Sequence, residues 1–266
     1  ALEPEYRALF ITLPGEGDIA REMAENVDPG AIHAAREALR GTMAAALRLQ
    51  LLALYEQLAD SGPVVPDAKG AGRRSLRNAA LALLAAGGER EDLERVAAHG
   101  RDAARMTDAI AALGILTHYE TERREAAFGD FYRRWKDEPL VMDKWFALQA
   151  TSTRPDALDR VRELMEHPLF SLTRPNRVRA VIHAFAMGNP VNFHRPDGAG
   201  YAFVADQVLA LDRLNAQLAA RLATAFRNWR ILEPGRQALA HAALEKIAAH
   251  DALSRDVYEI ATKSLA

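Results

Sequence analysis

Pro175-Asn176-Arg177-Val178-Arg179-Ala180-Val181-Ile182-His183-Ala184-Phe185-Ala186-Met187 is the stretch that decides the fold class. Its large apolar residues Val178, Val181, Ile182 and Phe185 fall at i, i+3, i+4 and i+7, which lays one stripe along an α-helix. Asn176, Arg179 and His183 share the opposite side, and Pro175 stands at the first helical position, where its missing N–H costs nothing. A half-buried strand would alternate with a period of two. Such alternation, bounded by turn residues, is scarce anywhere in the chain. The spacing predicts a helix over 175–187 and, repeated on both sides, an all-α protein.

Upstream, Asp28-Pro29 reads as an N-cap followed by proline, opening a helical pattern that runs to about Asp60. Gly62-Pro63 and Gly70 to Gly72 mark the loop that follows. Ser75 is the expected cap of the next helix, which ends at Gly87-Gly88. Thr107 is the expected cap of another, with Met106, Ile110, Leu113 and Ile115 or Leu116 at near-helical spacing. Further helices are predicted over about 121–136, 139–151, 156–166, 201–213, 215–228, 234–249 and 253–264. Gly188 to Gly200 is the longest irregular stretch and reads as an ordered loop anchored by Phe193 and His194. Helices of this length joined by short turns predict an irregular superhelix of paired antiparallel helices, solenoid-like, with residues 1–266 as a single domain. No exact period is present, so the chain is not a tetratricopeptide or ankyrin array.

Composition narrows the function. The apolar class is alanine and leucine rather than valine and isoleucine, which favours helix. A formal net charge of -2 lacks the basic surplus of a nucleic-acid binder, so no nucleic-acid partner is expected. Cysteine is absent, which removes thiol nucleophiles and disulfides and fits a reducing compartment; the expected location is cytoplasmic. The longest pure apolar run, Ala79 to Ala86, falls far short of the roughly 20 residues that span a bilayer, so no membrane partner is expected. The opening Ala1-Leu2-Glu3-Pro4-Glu5-Tyr6 reads as a junction within a longer polypeptide.

The search for chemistry yields no catalytic residue and no metal ligand. None of the eight histidines precedes a glutamate, and no two stand at i, i+4, so the helical zinc motif His-Glu-x-x-His is missing. Gly-x-Ser-x-Gly and the phosphate-cradling Gly-x-x-x-x-Gly-Lys are missing too. His241 and His250 flank a charged helix and read as capping or solvated groups. Glu120, Glu122 and Glu125 alternate with Arg123 and Arg124 as a solvated face. Trp135, Trp145 and Phe146 read as core. A second polar face resembles that of 175–187. Over 215–228, Leu214, Leu218, Leu222 and Ala225 form the apolar stripe, beside Gln217, Arg221, Thr224 and Asn228. From spacing alone, both faces read as ordinary solvent-facing surface.

One block is more specific. Leu140-Val141-Met142-Asp143-Lys144-Trp145-Phe146-Ala147-Leu148-Gln149-Ala150-Thr151-Ser152 resembles a signature of the M1 family of zinc metalloaminopeptidases, of the bacterial aminopeptidase N type. Other stretches match the C-terminal helical domain of that family in the same order. They include Leu13-Pro14, Arg36-Glu37-Ala38-Leu39, Leu76-Arg77-Asn78-Ala79 and Met106-Thr107-Asp108-Ala109. After these come Pro175-Asn176-Arg177-Val178-Arg179, Asn189-Pro190 with Phe193-His194, Asp197-Gly198-x-Gly200-Tyr201, and Tyr258-Glu259-x-x-Thr262-Lys263 near the end.

The resemblance implies a domain that caps the active-site cavity of a larger aminopeptidase and restricts and orients peptides for removal of N-terminal residues. Zinc and its ligands would lie in preceding domains, so this chain is expected to carry no cofactor and to be inactive alone. Its expected partners are the catalytic domain of the same polypeptide and peptide substrates. Arg179, Gln217 and Arg221 match cavity-lining positions and are the expected substrate-channel residues. The rival expectations are a free-standing helical-repeat scaffold for protein interaction and, less in keeping with the charge balance, a helical-repeat nucleic-acid enzyme.

Overall fold

A computed structural model describes residues 2–59 and 67–266. The Gly62-Pro63 turn expected from the sequence lies outside the described residues. In chain order the helices are α1 (Pro4–Phe10), α2 (Glu16–Met23), α3 (Pro29–Ala46), α4 (Arg48–Gln57), α5 (Ala68–Ala86), α6 (Arg90–Arg101), α7 (Met106–Leu116), α8 (Glu122–Trp135) and α9 (Pro139–Ala150). Then come α10 (Ala157–Met165), α11 (Pro175–Val178), a π-helical turn (Arg179–His183), α12 (Ala184–Gly188), α13 (Pro190–Phe193) and α14 (Ala199–Asp212). The chain finishes with α15 (Ala216–Ala223), two 3₁₀ turns (Thr224–Phe226 and Trp229–Ile231), α16 (Pro234–Ala248) and α17 (Arg255–Leu265). Among the described residues extended pairing is confined to one parallel bridge, Val27 with Leu232. The protein is all-α. Its contacts group into two compact units, where the sequence was read as one domain: Ala1–Gly15 with His33–Trp135, and Glu16–Ile32 with Lys136–Ala266.

In the first unit, Leu51, Ala80, Leu81, Leu84, Val96 and Leu116 meet in one buried cluster contributed by α4 to α7. The helix expected over 28–60 is two helices. Leu47, at φ -109° and ψ 11°, breaks the run between α3 and α4. Gly70 to Gly72 are helical rather than loop. The Asp67 carboxylate accepts from the Gly70 N–H and starts α5 well before Ser75, which is therefore not a cap. At position 72 a Cβ would meet the Glu5 carboxylate of α1, the far end of an exposed side chain that can swing aside. Thr107 is likewise inside its helix, with Arg105 at the cap position of α7. Helices α1, α2 and α6 have no counterpart in the sequence reading. Arg124, read as solvated, is buried, with its guanidinium over the Phe128 ring and paired with Glu125.

The second unit holds the stretch that decided the fold class. Val178, Val181, Ile182 and Phe185 are each 0% exposed, so the apolar stripe is buried as its spacing requires. Gly188 to Gly200 is ordered, as expected, and contains α13. The Asn189 amide donates to the carbonyls of Ala150 (3.0 Å) and Ser152 (2.6 Å), and the Asn192 amide donates to Ser152 O at 3.2 Å. These bonds satisfy carbonyls at the C-terminal end of α9 that no helical N–H can reach. Phe193 packs edge-on against Tyr201 and Phe226, and the His194 ring nitrogen Nδ1 lies 2.8 Å from the Tyr201 hydroxyl. Gly198 adopts φ 72°, a left-handed conformation that glycine takes without strain, and it opens α14.

Gly200 is the tightest point of that loop. A Cβ there would strike the backbone oxygens of Phe193 and Asn192, the latter at 2.6 Å, and backbone cannot yield as a side-chain end can. Gly200→Ala is expected to destabilise the fold by about 1–3 kcal/mol, the cost of overpacking. Gly17, with nothing within 4 Å of its Cβ position, serves as the contrast: Gly17→Ala in α2 should be neutral or slightly stabilising. Denaturant unfolding of both variants checks the pair.

His194 gives a pH signature. Burial, and secondarily the charge of Arg236, push its imidazole from 6.5 down to about 4. The folded state thus refuses a proton that the unfolded chain accepts below about 6.5. Stability contributed by the neutral ring is complete above that pH and is lost as pH falls from about 6.5 towards 4. The loss approaches about 3 kcal/mol for this group. Unfolding curves between pH 7 and 4 should show that slope, and His194→Gln should flatten it.

Candidate functional site

Arg177 comes first, because it fixes where its neighbours point. The residue is 4% exposed. Its Nη1 donates to the Asp143 carboxylate of α9 at 2.6 Å, its Nε donates to the Leu169 carbonyl at 3.1 Å, and its guanidinium lies 4.8 Å from the centre of the Phe146 ring. Phe146 and Trp145 are buried on α9, and both pack against His167. Asp143, Trp145 and Phe146 belong to the signature block, so that block is a structural knot that locks α9 to the start of α11.

From this anchor the chain enters the π turn. A π turn lengthens the helix by one residue and re-aims the side chains that follow; such turns recur at functional sites. Arg179 and His183 stand four residues apart on it. Arg179 is exposed, and its Nη1 donates to Asn176 Oδ1 at 3.0 Å. His183 is half-buried. Burial, then the positive charges of Arg221 and Arg179, hold the His183 imidazole below its ordinary value.

Arg221 comes from α15. The Asn215 side chain accepts from the Leu218 N–H at 3.0 Å and caps that helix. Leu218, Ala219, Leu222 and Ala223 are buried, and α15 packs on α14 and α17. Gln217 and Arg221, one turn apart, are left on the exposed side. Leu214, expected in the apolar stripe, is instead 54% exposed, because α15 starts only at Ala216 and Leu214 belongs to the turn before it.

The positive charges of Arg179 and Arg221, two of the three residues expected at a substrate channel, both act on His183. Gln217 lies on the same helix face as Arg221, and no bond ties it to the other two. Sequence reading placed His183 beside Arg179 but gave it no role; the charge that Arg221 brings to bear on it depends on the packing of α15 and has no local signal. A separate groove of about 470 Å³ lies in the first unit, floored by Leu113, Leu116 and Phe131 with Arg123 and Arg134 at its edge. None of the expected channel residues lines it.

Zinc, implied by the resemblance, does not fit the residues present: among the described residues no group of three His, Cys, Asp or Glu is placed to hold a metal ion. His241 lies 3.4 Å from Glu245 and packs edge-on against Trp229, while His250 accepts from the Ala252 N–H at 3.3 Å. What the polar face can do chemically is bind. Two guanidiniums offer ten N–H donors in planar forks suited to carboxylates and carbonyls.

Removing one partner of a buried ion pair strands the other charge. Asp143→Ala should therefore destabilise the fold by about 3 kcal/mol, whereas adding Arg177→Met should recover part of that loss. Chemical unfolding of the single and double variants measures both, and equal losses would show that Arg177 does not depend on Asp143.

Comparison with known proteins agrees with this architecture. The model of a domain of unknown function with ARM repeats, DUF3458_C, matches residues 1–266. The chain is 44% identical over 265 residues to aminopeptidase N of Caulobacter vibrioides and 38% identical over 265 residues to aminopeptidase N of Escherichia coli. Each match covers 100% of this chain but only 31% and 30% of those proteins. A crystal structure of Legionella pneumophila aminopeptidase A in complex with aspartic acid superposes with a TM-score of 0.91 at 31% identity, over 99% of this chain and 32% of that one. The chain spans about a third of the length of the relatives it matches and belongs to the DUF3458_C family of ARM-repeat helical domains.

Proposed function

We propose that residues 1–266 form the C-terminal cap domain of an M1-type zinc aminopeptidase, and that this domain restricts and orients peptides for removal of their N-terminal residues. The observation that carries the reading is that the whole chain matches only part of aminopeptidase N, with Arg179 and Arg221 exposed on separate helices. Similarity to one third of several aminopeptidases supports it, since the other two thirds would hold the metal and the reacting groups. The exposed apolar residues Leu2, Tyr6, Leu9 and Phe10 at the start of the chain offer surface for docking those domains.

Arg179, Gln217 and Arg221 then act as substrate-channel residues. The far end of a bound peptide carries backbone carbonyls and finally a carboxylate, which guanidinium and amide donors suit. A hydrogen bond to a charged partner contributes on the order of 1.5–3 kcal/mol. In the full-length enzyme, Arg221→Ala should lower kcat/KM for short peptides by roughly ten- to a hundredfold. A small aminoacyl-anilide does not reach that far and should lose much less. Arg179→Ala should follow the same pattern more weakly. Steady-state kinetics on both substrate types decide: equal losses would indicate a docking or folding defect, and undiminished peptide turnover would return both arginines to plain surface.

A further inference from the structure

Among the described residues one protein group holds Arg179: its Nη1 donates to Asn176 Oδ1, three residues earlier in the chain, at 3.0 Å. Elsewhere the same position holds a carboxylate. Arg21, Arg40, Arg95, Arg133, Arg162 and Arg236 each pair with an aspartate or glutamate three residues before them. Such a pair offsets the charge of the guanidinium as it fixes the side chain. The Asn176 carboxamide accepts the same kind of hydrogen bond but carries no charge, so Arg179 is tied down and stays a full cation. The surrounding sequence keeps acids away as well. Acidic residues outnumber basic ones in the whole chain, 36 to 34, yet no Asp or Glu occurs from His167 to Pro196. None occurs from Arg213 to Leu232 either, the stretch that supplies Gln217 and Arg221. Asp143, an acid of α9, which packs against α11, is taken by Arg177.

We propose that Asn176 is a positioning residue for peptide recognition, which aims Arg179 at the terminal carboxylate of the peptide without neutralising it. The inference rests on the channel role proposed for Arg179 above and adds the group through which that role is exercised. An exposed arginine loses rotamer freedom when it binds a ligand. A side chain already tied to its own helix has given up part of that freedom beforehand. One guanidinium N–H goes to Asn176, and the others stay available to a ligand. An aspartate at position 176 would tie Arg179 more firmly, because a charge-assisted bond is stronger than a neutral one. It would also compete with the peptide carboxylate for the same cation. Firmness of attachment and recognition of an anion thus pull in opposite directions at this position, which a purely structural role for Asn176 does not produce.

The test uses the full-length enzyme with tetra-alanine and tetra-alanine amide, which differ only in the terminal carboxylate, and reads the ratio of their kcat/KM values within each variant. Asn176→Ala releases Arg179 and should lower the ratio by about three- to tenfold. Asn176→Asp should lower it at least as far as Arg179→Ala does. A carboxylate in the first turn of a helix suits the helix dipole, so Asn176→Asp should leave the melting temperature unchanged or raised. Asn176→Ser keeps a short neutral acceptor and replaces the alanine variant should that one unfold. Adding Asn176→Ala to Arg179→Ala should change nothing further, since Asn176 acts through Arg179. A ratio that Asn176→Asp leaves at the wild-type value or raises overturns the proposal, as does a further fall in the double variant. If Arg179→Ala lowers the ratio and Asn176→Ala does not, the channel reading stands and the positioning falls. If Arg179→Ala leaves the ratio unchanged, both fall.

Discussion

The Arg177 guanidinium cannot shed its proton, and at 4% exposure it must find compensation inside the protein. It does so from three directions: a carboxylate on α9, a carbonyl in the turn before α11, and the face of Phe146. Those contacts fix the entry of α11, and the four apolar residues that follow are wholly buried. Everything the next turns present to solvent is decided by that burial. Arg179 and His183 face outward because Val178, Val181 and Ile182 cannot. A buried pair of this kind adds little net stability against an apolar substitute, but breaking it is costly, which makes it a device for fixing geometry.

The same principle explains why the array is irregular. In an exact repeat each junction between helices is solved by the same side chains, and a period shows in the sequence. Here each junction has its own solution. The end of α9 is closed by the amides of Asn189 and Asn192, α15 opens on Asn215, α16 on Glu233, and α17 on Ser254, itself held by Asp212. Arg236 donates to the His194 carbonyl and pairs with Glu233 and Asp28. The helices repeat as objects while the chemistry that joins them does not.

That difference also marks what could be read beforehand. The all-α class and the buried stripe of 175–187 were legible, because a period of 3.6 is a local property of consecutive residues. The Asp28 cap was legible too, its carboxylate accepting from Gly30 and Ala31. The glycines at 70 and 72 were misread because their place depends on a carboxylate upstream and on a helix packing from far away in the sequence. Arg124 was misread because charge in the sequence says nothing of a ring beneath it. At the candidate site, Arg179, Gln217 and Arg221 came from a family resemblance, and spacing alone gave only two polar faces. The π turn, the anchoring by Arg177 and the charge that Arg221 brings to bear on His183 depend on tertiary packing and have no local signature.

A domain without reacting groups still influences a reaction through where its binding contacts fall. Contacts made far from the scissile bond are the same before and during bond breaking, so they favour substrate and transition state alike. Such contacts appear in KM unless they also hold the reacting end in register, in which case kcat responds as well. Arg179 and Arg221 are exposed, so water screens them and each alone is weak; in the channel role proposed for them, their seats on packed helices are what would let them act on one ligand group. The rigidity comes from beneath, from the stripe and from Arg177, and it spares the ordering entropy that two free arginine side chains on loops would lose on binding. In that proposed role the two cations would be only as selective as the buried packing that holds them.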